Sequence, residues 1–516
     1  MSCVCLGIAS FVWVPATAQT TNFDGGGDGT NWTDAFNWDL AEPNGAGFDT
    51  IIDGASGSPF DVQLTADRLV DNLTVGDEDI LRLLNAVDLE VGTGINNVGT
   101  IRLISTTFAT GLQIETTMTL TGGGTVLMEG AIARIADATG TADTGHFIND
   151  NNSILGQGNI GANRTQITNH GTIKANVDGG VLIIDPGAGG MVNDGLMEAI
   201  QLSTLRLSAG AYDNTGGIIR ADAGSNVEFS GGPSITNGTL RTAGTGVIET
   251  GNSTLTTLTN VTLDGLLRLN NSDDVELVGT FTTNGSSIVR IDATTFTTDL
   301  RIEGAVMLTG GGTVEMNGAN TRIGDAIGAA DTGHVTNSDM LIHGLGQIGI
   351  NRTQITNHGT IRADVAAGTM TLDPGTGGML NDSLMEATNE GILRLSAGAY
   401  TNTGGTIRAG ADSIVEFSGG PSITNGTLQT VGTGIIETGD STLATLTDVT
   451  LDGLLRINNS DNIELIGTLT DNPSSVIRID ATSFATDLVI DGPVTLTGGG
   501  TVEMIGTNAR ILDESG

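Results

Sequence analysis

Two stretches decide the fold: NRTQITNHGTIKANVDGGVLIIDPG (163–187) and NRTQITNHGTIRADVAAGTMTLDPG (351–375), set 188 residues apart. Near their ends, VLII (181–184) faces TMTL (369–372). Val181 and Ile183 become Thr369 and Thr371, whereas Leu182 and Ile184 become only Met370 and Leu372. One alternate set stays apolar while the other varies, the period-two pattern of a strand with one face buried. Val126 and Met128, Val314 and Met316, and Val502 and Met504 keep the same parity, with Leu127, Glu315 and Glu503 turned outward. No helical periodicity of useful length interrupts these runs.

The 188-residue period extends well beyond this pair. LTGGGTV begins at Leu120, Leu308 and Leu496, and FSGGPSITNGTL begins at Phe229 and Phe417. Between 163–212 and 351–400, 34 of 50 residues are identical without insertion, so the two copies share one backbone course. A degenerate earlier copy survives in LRLLNAVDLEV (81–91) and TIRLISTTFATGL (100–112). The expected organisation is a signal peptide (1–18), an N-terminal cap segment (19–60), a degenerate first repeat (61–112), two repeat copies (113–300 and 301–488) and a truncated third copy (489–516). Because that third copy breaks off within the repeat, the chain is read as a fragment.

Inside each copy a shorter rhythm appears. Asn169, Asn193, Asn214, Asn237 and Asn260 occupy matching turn-to-strand junctions spaced by 24, 21, 23 and 23 residues. Asn357, Asn381, Asn402 and Asn425 follow suit, with Asp448 in fifth place. A period near 23 matches one coil of a β-solenoid and divides 188 into about eight. The fold expected is all-β: a right-handed parallel β-helix (β-solenoid) with coils of about 23 residues, grouped in a 188-residue higher repeat.

Composition narrows function. The 78 glycines show no G-X-Y register, which excludes collagen, and 38% hydrophobic residues exclude a disordered acidic tail. A formal charge of −39 repels phosphates, so no nucleic acid is expected as a partner. The apolar stretch 2–14 precedes Ala16-Thr17-Ala18, a pattern that predicts export and cleavage before Gln19, and it is too short for membrane insertion. Both cysteines, Cys3 and Cys5, fall inside it. The expected location is outside the cell, secreted or displayed on a bacterial surface in association with the outer membrane.

The G-x-x-W-x5-W pattern of Gly29–Trp38, followed by Pro43 and an apolar strand, resembles the N-terminal segment of large secreted repeat proteins. The remainder is similar to autotransporter passengers and filamentous-haemagglutinin-type adhesins. That resemblance implies a right-handed β-helix, surface display and adhesion or matrix roles, and it implies no catalytic residue. Trp32 and Trp38 are expected to cap the open solenoid end.

The chemistry-bearing residues are few. Asp143-Thr144-Gly145 and Asp331-Thr332-Gly333 look like paired aspartic-protease loops, but they lie 188 residues apart and read as turns. His146, His170, His334, His343 and His358 lack metal-ligand spacing. A polysaccharide-cleaving β-helix would need carboxylates aligned across coils. Asp185, Glu198, Glu228, Glu249, Asp273 and Asp274 are available, yet they recur as Asp373, Glu386, Glu416, Glu437, Asp461 and Asn462, as a scaffold would require. Arg206, Arg220, Arg268 and Arg290 fall on the outward parity and are expected to pair with acidic neighbours. Asp24 and Asp28, on a glycine-rich loop, are the candidate Ca²⁺ ligands, with no other cofactor expected. Tyr212 and Tyr400 are the candidate glycan-contacting aromatics. The resulting expectation is a non-enzymatic adhesin, stalk or extracellular-matrix scaffold acting through repetitive weak contacts. Its partners would be extracellular glycans, cell surfaces or further copies of itself. The alternatives are a polysaccharide-active lyase or hydrolase on the same fold, or a passive spacer for a C-terminal domain.

Overall fold

A computed structural model describes residues 18–138, 144–251, 255–326, 332–439 and 443–513. Residues 1–17, which hold both cysteines of the expected signal peptide, lie outside the described residues, as do Asp143 and Asp331. The fold is a parallel β-solenoid with coils about 23 residues apart. It divides into two compact units: the residues up to Ile173 with Gly187–Gly189, and Lys174–Pro186 with Gly190 onward. The division falls inside the repeat copy at 113–300. No described helix is long and apolar enough to cross a membrane.

Each coil has three sides. In the second unit Thr204–Leu207 pairs with Asn226–Ser230, and Gly210–Asp213 with Pro233–Thr236. Ile218–Ala221 likewise pairs with Thr239–Thr242, so each of these strands meets the one three places on. Alternation along the strands is as the sequence demands. Leu182, Ile184, Met370 and Leu372 are fully buried, while Val181, Ile183, Thr369 and Thr371 are half-exposed.

Some corners are crossed without a loop. Asp274–Thr283 and Thr298–Thr309 each run across two sides of the coil, with the register breaking between Val278 and Gly279. Gly279 (φ 73°) makes that bend. A Cβ there would lie 2.3 Å from Asn260 Oδ1, so only glycine passes.

Coils of about 23 residues are as expected, but the coil and the 188-residue repeat are out of phase. From residues 298–301 the hydrogen-bonded column climbs through Thr321–Gly324, Gly346–Ile348, Thr369–Leu372 and Ile392–Leu395. It continues through Ile414–Phe417, Ile435–Thr438 and Leu454–Ile457 to Val476–Asp480, eight rungs up. Thr486, the repeat equivalent of Thr298, begins the next strand along. Within the second unit one repeat is therefore eight turns plus one further side, so Thr486 stands about a third of a turn from Thr298.

The asparagine rhythm proves to be two devices. Asn193 donates to Asn214 (2.6 Å), and Asn337, Asn357, Asn381 and Asn402 form an unbroken amide ladder at 2.9, 2.7 and 2.7 Å, all buried. Such ladders satisfy side-chain donors and acceptors from rung to rung. Asn237 and Asn260 depart from it: both are left-handed (φ 63° and 53°) and turned outward. Asn260 Oδ1 instead accepts the Thr280 N–H at 3.0 Å, clamping the Gly279 corner.

At the N-terminal end, Phe23, Trp32, Trp38 and Phe60 form an edge-to-face cluster with ring centroids 5.0–5.2 Å apart. Trp32 Nε1 donates to the Pro43 carbonyl (3.1 Å) and Trp38 Nε1 to the Trp32 carbonyl (2.7 Å), so both indoles are buried with partners.

Candidate functional site

One outward feature recurs with the 188-residue repeat and lies outside the sequence expectations. Phe108, Phe296 and Phe484 occupy the same place in successive copies and stand 62%, 62% and 65% exposed. Each sits on the turn after an outer strand: Thr100–Ile104, Ile288–Asp292 or Val476–Asp480. An asparagine of the preceding coil holds the turn from below. Asn85 Oδ1 accepts the N–H groups of Thr106, Thr107 and Phe108 at 2.8, 2.8 and 3.0 Å. Asn271 takes those of Thr295 and Phe296 at 2.8 and 3.1 Å, and Asn459 those of Ser483 and Phe484 at 2.8 and 3.0 Å. A buried threonine closes the other side. Thr298 Oγ1 lies 3.0 Å from both the Asp292 carbonyl and the Ser272 N–H, and Thr110 and Thr486 repeat the brace. The backbone is thus fixed while the ring is left in water, an arrangement that hydrophobic burial alone would not produce.

The signal for these rings was present as TTF (106–108), TTF (294–296) and TSF (482–484). Phe stays while the following residue changes from Ala109 to Thr297 to Ala485. Tyr212 and Tyr400, the expected glycan-contacting aromatics, are instead core residues, each 1% exposed. The Tyr212 hydroxyl lies 2.9 Å from the Ile184 and Ser208 carbonyls, and burial drives it well above the ordinary phenol range. Tyr400 does the same against Leu372 and Ser396. Neither offers a ring face to a ligand.

Asp28 anchors its own loop. It accepts the N–H groups of Thr30 (2.9 Å) and Asn31 (2.8 Å) and the side-chain amides of Asn31 (2.5 Å) and Asn37 (2.8 Å). These bonds hold its carboxyl well below the usual range, the backbone donors of Asn31 and Thr30 contributing most. Asp24 accepts the Gly26 N–H at 2.9 Å. Among the described residues no group of three or more His, Cys, Asp or Glu converges on a metal position. His146 and His334 contact Thr168 and Thr356 (2.8 and 2.9 Å), and His343 and His358 contact Asp364 and Asp382 (3.0 and 2.8 Å). Of the protease-like loops, Gly145 and Gly333 donate to the buried carboxylates of Asp137 and Asp325 at 2.9 and 2.7 Å.

The outward carboxylates belong to charge ladders. Arg206 pairs with Glu228 (3.0 Å), Arg268 with Glu249, and Arg290 with Glu315 (2.7 Å). Glu198 lies between Lys174 (2.7 Å) and Arg220 (3.7 Å), and Glu386 between Arg362 (2.6 Å) and Arg408. Asp274 is held by Arg301 at 2.5 Å. One groove on the first unit is lined by Asp67, Arg68, Asp88, Glu90 and Gln113. Burial and then Glu115 push Glu90 above its ordinary range, but Asp88 is tied to Gln113 (2.5 Å) and Arg134 (3.0 Å). No family model matches this chain, and no curated protein matches its sequence.

Proposed function

We propose that the protein is a secreted or cell-surface β-solenoid scaffold, an adhesin or matrix component, that binds extracellular material through repetitive weak contacts at its Phe turns. The supporting observation is the threefold recurrence of an exposed ring on an asparagine-clamped turn. A single ring binds weakly, but several on one body multiply retention by effective concentration. The scaffold reading is preferred to a polysaccharide-active enzyme because Glu198, Glu228, Glu249, Asp274, Glu386, Glu416 and Glu437 are each held by an arginine or lysine; the enzyme reading rests on Glu90 in its acidic groove.

The test is retention of the whole chain on immobilised polymers: glucosamine polymer, N-acetylglucosamine polymer, cellulose, alginate and the chain itself. Wild type should be held by at least one of them. Phe108→Ser, Phe296→Ser and Phe484→Ser together should lower that retention by about tenfold or more, and single changes by less. Equal retention of wild type and triple variant on every polymer would overturn the proposal, as would no retention of wild type.

A further inference from the structure

Resting on that reading, we infer that the Phe turns take a flexible, ammonium-bearing polysaccharide, one attachment point per repeat, rather than a flat surface. Charge supplies the first argument. With 59 acidic against 20 basic residues, one-to-one pairing would still leave 39 carboxylates without a cation. Near the rings, the arginines of the same strands, Arg290 and Arg478, are occupied by Glu315 and Glu503 (2.7 and 3.0 Å). Asp292 and Asp480 end those strands just before the turns. An anionic polymer, or a second copy of this chain, meets a repulsive field, whereas a cation is drawn in. An exposed aromatic face adds its own attraction for ammonium groups.

The backbone supplies the second. Ile288–Asp292 is paired on one side with Leu266–Leu269 and on the other with Thr313–Asn317. Residues 298–301 are paired with Asp274–Thr283 and Thr321–Gly324. No open strand edge flanks the ring, so a peptide has no main chain to extend. What the corner offers is a ring among hydroxyls (Thr294, Thr295 and Thr297 about Phe296), which suits a sugar.

The phase shift supplies the third. Within the second unit, the turns of Phe296 and Phe484 are separated by eight rungs, roughly 40 Å at a ~4.8 Å strand spacing, and rotated by about a third of a turn. A plane that touches one ring is turned away from the other. A flexible chain can reach both.

The experiment uses the whole chain and a soluble, fully deacetylated glucosamine oligomer of about ten sugars. Wild type should bind it, with affinity falling as salt rises. The triple Phe→Ser variant should bind about tenfold more weakly or worse. The N-acetylated oligomer, which keeps the sugar and loses the charge, should not bind. On a planar amine layer, Phe296→Ser and Phe484→Ser singly should each be retained no less than half as well as wild type, because only one of the two faces the plane. Equal affinity of wild type and triple variant for the oligomer would overturn the inference. So would binding of the acetylated oligomer, or Phe-dependent binding of polylysine stronger than that of glucosamine. Phe-dependent retention on another polymer with none on glucosamine would defeat this inference and leave the scaffold reading standing.

Discussion

Asn357→Asp should loosen its coil severely, while Asn260→Asp should be nearly silent. The two substitutions are identical in shape and differ only in what the asparagine does. Asn357 is fully buried, accepts from Asn337 Nδ2 (2.9 Å) and donates to Asn381 Oδ1 (2.7 Å). A carboxylate there would aim oxygen at oxygen and bury a charge with no cation beside it, a cost of about 3–5 kcal/mol. Asn260 is exposed and accepts the Thr280 N–H. The second copy already carries Asp448 there, accepting from Thr468 at 2.8 Å. In a solenoid each coil depends on its neighbours, so local amide exchange is the appropriate readout. Asn357→Asp should reduce protection in Gln354–Asn357 and Met379–Asn381 by about a hundredfold; Asn260→Asp should change Thr262–Asp264 by less than about threefold. Burial raises the new carboxyl's pKa in the folded state. The native state then binds the proton more tightly, so the defect relative to wild type should be smallest below the unfolded value of about 4 and grow as pH rises through the folded value. Equal protection in both variants would refute the division of the asparagines into two devices.

That division also marks how far the sequence could be read. Coil length, the parallel sheets and the buried parity follow from patterning, because a period-two strand with one apolar face has few ways to stack at intervals of about 23 residues. Asp448 already showed that the fifth junction needs an acceptor only, since aspartate accepts hydrogen bonds as asparagine does but, ionised, cannot donate. The phase shift was beyond reach for a different reason. Spacings of 21 to 24 average near 23, and eight coils of that size fall short of 188 by about one strand. Those residues, with the ones saved at corners such as Gly279 where two sides are joined by one glycine instead of a loop, make the further side. Composition likewise hid the Phe turns. An aromatic in a 3%-aromatic chain is expected in the core, and Phe147, Phe229 and Phe417 are indeed there. Only the asparagine clamp from the neighbouring coil, a contact between residues some 24 apart, separates Phe296 from them.

The same neighbour-to-neighbour logic governs the N-terminal end, where Trp32→Ala should be the costliest truncation. Trp32 is fully buried, bonded to Pro43, and its carbonyl receives Trp38 Nε1. Removing the indole leaves a cavity beside Trp38, its ring partner at one end of the aromatic cluster, and should cost about 3–5 kcal/mol. The loss should stay local. Gln19–Asn22 pairs with Phe48–Ile52, and Phe48–Ile52 with residues 72–75, so fraying begins there and weakens coil by coil. Amide protection should fall by about a hundredfold in Phe48–Ile52 and remain unchanged in Thr125–Glu129. Fluorescence provides a second readout in a Trp13→Phe background, where Trp38 becomes the sole tryptophan and its emission should shift to the red as water enters. Trp32→Phe, which keeps an aromatic ring but loses the bond to Pro43, should fall between the two. Unchanged protection in Phe48–Ile52 would mean that the aromatic cluster rides on the first coil without holding it closed.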